Sequence, residues 1–117
     1  MALRCLLVDD NEAFLGSASR LLESQGLQVV GCASSGNEAL RLAQTLQPDV
    51  ALVDVQLGDE DGLEVARRLS AGARSTPVVL ISTHSQDELA ELIADSPAIG
   101  FLPKTALSGA AIAVLLG

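Results

Sequence analysis

Tryptophan and tyrosine are absent from the chain and phenylalanine occurs twice, so a composition that is 49% hydrophobic has to build an aliphatic core. The two cysteines, Cys5 and Cys32, fall inside predicted strands. That pattern fits neither a metal site nor a secreted disulfide framework and reads as two buried, reduced core thiols. Positive charge is scarce: seven Lys and Arg against fifteen Asp and Glu leave a formal net charge of −8. Such a balance argues against nucleic-acid binding by this segment through a basic surface. No apolar run approaches the ~20 residues of a membrane span, and no charged-then-apolar leader opens the chain. The expectation is a cytoplasmic protein with no membrane contact. Internal repeats, low-complexity segments and linkers are also missing, so the 117 residues read as one domain, 1–117. A domain of this size buries about two-thirds of its unfolded surface and needs no disulfide or structural metal.

Strand and helix signals alternate along the chain. Leu3–Val8 is a predicted strand, and a helix over about 11–25 puts Phe14, Leu15, Ala18, Leu21 and Leu22 on one face before Gly26 ends it. Leu27–Ala33 is the second strand. Ser35-Gly36-Asn37-Glu38 has the form of a capping box opening a helix with Ala39, Leu42, Ala43 and Leu46 inward. Pro48 stops it ahead of the third strand, Val50–Val55. An acidic loop, Leu57–Asp61, precedes a helix that starts at Gly62 and turns Leu63, Ala66 and Leu69 inward. Pro77 opens the fourth strand. Ser85-Gln86-Asp87-Glu88 repeats the capping pattern before a helix with Leu89, Leu92 and Ile93 on one face. Ile99–Leu102 is the fifth strand, and Leu107–Leu116 a last helix. Continuous apolar strands imply a sheet covered on both faces, and the alternation implies parallel pairing. The expected fold is α/β, (βα)5, with the fifth strand at an edge because Pro103 lacks the amide that a central strand needs.

Polar residues stand at the ends of four of these runs: Asp9-Asp10, Asp54, Ser82-Thr83 and Lys104, the only lysine. In a parallel sheet these ends share one edge, where α/β folds place ligands. Three carboxylates would meet there, each pair repelling by roughly 3 kcal/mol at ~5 Å and an effective dielectric of ~20. One divalent cation and Lys104 balance them. Hard oxygen donors with water completing the shell suit Mg²⁺, and a carboxylate beside such a cation is a nucleophile suited to forming an aspartyl phosphate. Lys104 would neutralise a phosphoryl oxygen, and Ser82 could donate a hydrogen bond to another.

These residues resemble the bacterial response-regulator receiver domain of two-component signalling. The resemblance spans the whole chain and is most specific in Asp54-Val55-Gln56-Leu57-Gly58-Asp59-Glu60-Asp61-Gly62 and Gly100-Phe101-Leu102-Pro103-Lys104. It implies a flavodoxin-like, doubly wound sheet of order 2-1-3-4-5. It implies Asp54 as phospho-acceptor, with Asp9, Asp10, Asp54 and the main-chain carbonyl of Gln56 holding Mg²⁺ (or Mn²⁺). Ser82, Thr83 and Lys104 would contact the phosphoryl group, and Ser82 and Phe101 would act as the switch pair. The implied donor is a sensor histidine kinase. The implied output is transcription regulation through a C-terminal helix-turn-helix domain outside this segment, so the chain is no enzyme beyond its own phosphorylation and dephosphorylation. Two positions depart from the family. Thr105 follows the lysine where a cis-linked proline is usual, and Gly58 stands where proline is frequent, which implies a looser acidic loop.

Other roles set against this one are a single-domain regulator acting by protein contact, a Mg²⁺-dependent phosphohydrolase with an aspartate nucleophile, and a constitutive interaction module. The phosphohydrolase would need its nucleophile on the first strand in an Asp-x-Asp arrangement and a cap domain, whereas the chain has Asp9-Asp10-Asn11. The intact polar set argues against the constitutive module. Asp59-Glu60-Asp61 reads as solvated charge at a helix start, and His84 as a solvated loop residue. No charged residue occurs from Thr105 to Gly117, so the last helix is expected to meet a second copy or an output domain.

Overall fold

The structure, a computed structural model, describes residues 2–72, 75–83 and 86–117, with Gln86 and Glu88 described by backbone alone. His84 and the capping serine Ser85 lie outside the described residues, as does the side chain of Glu88. In chain order the elements are β1 (Arg4–Val8), α1 (Glu12–Ser24), β2 (Gln28–Ala33), α2 (Gly36–Leu46), β3 (Val50–Asp54), β4 (Gln56–Leu57), β5 (Glu60–Asp61), α3 (Gly62–Ala71), β6 (Val78–Ser82), α4 (Gln86–Ala94), β7 (Gly100–Pro103), a 3-10 turn (Lys104–Ala106) and α5 (Gly109–Leu116). The main sheet runs β2-β1-β3-β6-β7 with every pair parallel, which is the expected 2-1-3-4-5 order of the five long strands. Pro103 lies in the edge strand β7, opposite Ser82.

The two-residue period of a strand divides the core into two layers. Leu6, Val8, Ala51, Val53, Val78 and Leu80 meet α2 and α3 through Ala39, Ala43, Leu63, Ala66 and Leu69, and Phe101 joins this layer. Cys5, Leu7, Val50, Leu52, Val79 and Ile81 meet α1 and α5 through Leu15, Ala18, Leu22 and Ile112. Asp9 and Asp54 continue the second series past the apolar residues, whereas Ser82 continues the first. Side-chain caps start the helices: Asn11 accepts from the Phe14 N–H, Ser35 from Glu38, Asp61 from Leu63 and Ser108 from Ala111.

Several expectations need correction. Cys32 is exposed, because β2 is an edge strand covered only in part; its Sγ lies 3.6 Å from Ser19 Oγ. Leu21 and Leu92 are exposed instead of core-facing. The Glu38 carboxylate accepts from the Ser34 N–H, one residue before the position a capping box requires. Leu107 lies in a turn, and α5 begins at Gly109 with Ser108 as its cap. The acidic segment is an antiparallel hairpin, with Gln56 opposite Asp61 and Leu57 opposite Glu60. Its turn has Gly58 at φ +57°, the positive first position of a type II′ turn. Proline, fixed near −65°, cannot take that place.

Candidate functional site

Asp9 directly follows β1 and is fully buried. Its Oδ1 accepts from the Asn11 N–H at 2.9 Å, and its Oδ2 lies 2.6 Å from Lys104 Nζ. That buried Oδ2 receives no aligned hydrogen bond among the described residues and depends on the ion pair. Asp54 ends β3. Its Oδ1 accepts from the Gln56 N–H at 3.2 Å, and its Oδ2 accepts from Lys104 Nζ at 3.1 Å. Lys104 follows β7 and so reaches both carboxylates from across the sheet. The exposed Asp10 completes a cluster in which one carboxylate oxygen from each of the three aspartates lies within 4.8 Å of the others.

Asp10, Asp54, Gln56, Gly58, Ser82 and Thr83 line a cleft of about 190 Å³. Ser82 is buried at the end of β6 and Thr83 is exposed beside it. Phe101 is buried in the layer under α2 and α3, outside the cleft lining. Asp9, Asp10, Asp54, Gln56, Ser82, Thr83 and Lys104 therefore converge at one sheet edge, with Phe101 packed in the layer beside it.

Burial pushes the Asp54 carboxyl above its ordinary value. The Gln56 N–H and Lys104 oppose that push, Asp9's charge adds to it, and the net direction is up. Burial alone would lower the Lys104 ammonium, but its contacts with Asp9 and Asp54 outweigh burial and raise it. Three carboxylates against one ammonium leave two negative charges without a partner in the cluster. The donor set is all hard oxygen and opens on a polar cleft, so it fits one divalent cation.

Three residues with a part in the site escaped the sequence reading. A Cβ on Gly62 would sit 1.8 Å from the Asp54 carbonyl oxygen, and the Gly62 N–H donates to Val55 O at 2.8 Å. Only glycine lets α3 start against the backbone of the Asp54 segment. Its visible signal was glycine in the first helical position, directly after the capping Asp61. Glu60 is no mere solvated charge, because both its carboxylate oxygens accept from the Gly36 N–H at 3.1 Å, joining the hairpin to α2. The Phe14 ring lies under Lys104 Nζ, 4.3 Å from ring centroid to nitrogen.

Comparison with known proteins agrees with this geometry. The chain is 36% identical to the response regulator GacA of Pseudomonas viridiflava over 105 residues, 89% of this chain and 49% of that protein. It thus spans about half the length of the curated relatives it matches. The signal receiver domain of the putative response regulator NarL from Mycobacterium tuberculosis superposes with a TM-score of 0.85 at 32% identity, over 99% of this chain and 98% of that one. A response regulator protein from Burkholderia pseudomallei, with a phosphorylated aspartic acid, calcium ion and citrate, superposes with a TM-score of 0.82 at 28% identity, over 98% and 66% of the two chains. Residues 5–114 match the family described as the response regulator receiver domain. With its parallel sheet, its acidic edge and its lysine directly after the last strand, the chain belongs to the response regulator receiver domain family.

Proposed function

We propose that Asp54 is the phospho-acceptor of this receiver and that the donor is a phosphohistidine of a sensor histidine kinase. The observation that carries this reading is the Asp54 carboxylate itself, held by Lys104 at 3.1 Å and facing a cleft shared with Asp10, Ser82 and Thr83. A carboxylate oxygen of Asp54 forms the new bond to phosphorus as the phosphorus–nitrogen bond breaks, and the histidine nitrogen keeps the electron pair. Asp9, Asp10, Asp54 and the Gln56 carbonyl would hold Mg²⁺ or Mn²⁺, which when bound supplies positive charge to the phosphoryl oxygens. Lys104 moves its charge from the Asp54 carboxylate to a phosphoryl oxygen. Ser82 and Thr83 offer hydroxyl donors at the cleft wall. The phosphorylated aspartic acid and calcium ion of the Burkholderia relative support the same chemistry here.

Residues 1–117 form the receiver unit on this reading. The output is transcription regulation through a domain beyond this segment, reached with or without a second copy through the uncharged α5, where Val114 is 79% exposed. No helix among the described residues is long and apolar enough to cross a membrane, which accords with a cytoplasmic role. The deciding experiment is intact-mass measurement after incubation with a small acyl phosphate, with and without Mg²⁺. One added phosphoryl group that disappears in Asp54→Asn is expected. Continuous release of phosphate from simple phosphomonoesters would instead favour a phosphohydrolase.

A further inference from the structure

The structure assigns Phe14 as a positioning residue for Lys104, an inference that rests on the phospho-acceptor reading above. Lys104 Nζ lies 2.6 Å from an Asp9 carboxylate oxygen, 3.1 Å from one of Asp54 and 4.3 Å from the centroid of the Phe14 ring. The ring is tied to the same acid. Asp9 Oδ1 accepts from the Asn11 N–H, and Asn11 Oδ1 in turn accepts from the Phe14 N–H at 3.1 Å. A short hydrogen-bonded chain thus ties the backbone that carries the ring to Asp9, one of the carboxylates that hold the ammonium. The negative face of an aromatic ring attracts a cation, most strongly where water is excluded, and here Lys104 and Phe14 are both partly buried. Leu15, Ala18 and Leu22 supply the deep apolar contacts of α1, and the partly buried Phe14 packs against the same layer, so a test of the cation contact has to keep the ring's size and shape.

The consequence lies in the transfer step. As the Asp54 oxygen–phosphorus bond forms and an acyl phosphate's phosphorus–oxygen bond breaks, the leaving carboxylate takes the electron pair and no proton is needed. Negative charge leaves the Asp54 carboxylate and concentrates on the phosphoryl oxygens. Lys104 has to follow that charge without escaping to water on its flexible stem. The Phe14 ring stays in contact with the ammonium while its anionic partner changes.

The test replaces Phe14 site-specifically with phenylalanines bearing one, two and three ring fluorines, which weaken the ring's negative face while nearly preserving its shape. With acetyl phosphate and Mg²⁺, the initial labelling rate should fall stepwise, by roughly threefold to tenfold across the series. In chelator the melting temperature should fall in the same order, and that order should vanish in a Lys104→Met background. Rates and melting temperatures that stay flat across the series would overturn the inference, as would a fluorine dependence surviving in Lys104→Met. A wild-type chain that takes no phosphoryl group would overturn the phospho-acceptor reading instead, and the melts in chelator would still decide whether Phe14 holds Lys104.

Discussion

Gly62 contributes no functional group, yet its hydrogen atom occupies a place in which any Cβ would be 1.8 Å from the Asp54 carbonyl oxygen. Backbone, rather than a flexible side chain, has to move to relieve that clash. Gly62→Ala should therefore lose about 3 kcal/mol of stability in denaturant titration. It should also slow phosphorylation at denaturant-free conditions where the variant is still folded, because the carbonyl that shifts belongs to Asp54. The Asp54 side chain behaves in the opposite sense. Burial raises its carboxyl above the ordinary 3.8, so its favourable contribution is present below the unfolded value and is lost as pH rises through the folded one. At neutral pH the charge is a cost, and Asp54→Asn leaves Lys104 paired with Asp9. That variant should melt at a higher temperature than wild type in chelator. Cys5 supplies a third test. Burial, then the charge of Asp49, pushes its thiol from 9.0 up to about 11. The unfolded thiol ionises first, so this contribution is intact below pH 9.0 and lost as pH rises through about 11. The raised Lys104 ammonium slopes the same way in the alkaline range, so the comparison is between wild type and Cys5→Val, and the variant should lose less stability there. In native protein a thiol reagent should label Cys32 and leave Cys5 unreacted.

Among the elements, β6 and β7 couple the cleft to the layer beneath it. Leu80 pairs with Phe101 and Ser82 with Pro103, while Ser82 and Phe101 fall on the same side of the sheet. If Ser82 moves toward a phosphoryl group, the nearest large side chain on the neighbouring strand and the same face is Phe101. Ser82→Ala should thus accept a phosphoryl group at Asp54 but lose most of the change in self-association that a phosphoryl mimic produces in wild type, as read by sedimentation. A full response in Ser82→Ala would exclude this route. Such elements were largely legible in the sequence because four of the five long strands are apolar runs with a polar residue at or just after their end. Chain order alone then brought Asp9, Asp54, Ser82 and Lys104 to one edge. The misses have physical causes. Val29, Val30 and Cys32 look as apolar as a central strand, and nothing local reveals that β2 has one neighbour. Leu21 and Leu92 fit the helical period, but partial cover at the domain's sides leaves them in water. The hairpin of β4 and β5 hid in a run of acids, because Glu60 finds its partner in an N–H of α2 that lies 24 residues earlier. The Phe14 contact likewise depends on tertiary geometry: the same residue satisfies an amphipathic helix and a cation at once.

The molecule as a whole is strongly acidic, and its charge is distributed unevenly. Fifteen carboxylates face seven basic residues, while the last 13 residues carry no charged side chain. A divalent cation that binds the folded aspartate cluster and not the unfolded chain should stabilise wild type by mass action, by about 2.7 kcal/mol at a hundredfold excess over its Kd. Asp54→Asn should gain less, and equal shifts in the two proteins would place the cation elsewhere. The hairpin that borders this cluster also reaches outward, since Glu60 holds the first amide of α2. Gly36 is therefore a spectator of the site with a wire to it. Its single N–H proton lies outside the cleft lining, but the acceptor it meets belongs to the ribbon that contains Gly58 and Gln56. In amide hydrogen exchange that one proton becomes a gauge of ribbon opening, readable without a label on any residue of the cleft. The Leu63 N–H, held by Asp61 on the same ribbon at 2.9 Å, is its natural counterpart. Slowing of both together would register the ribbon tightening as a unit, and slowing of Leu63 alone would locate the hinge at the Leu57–Glu60 pair.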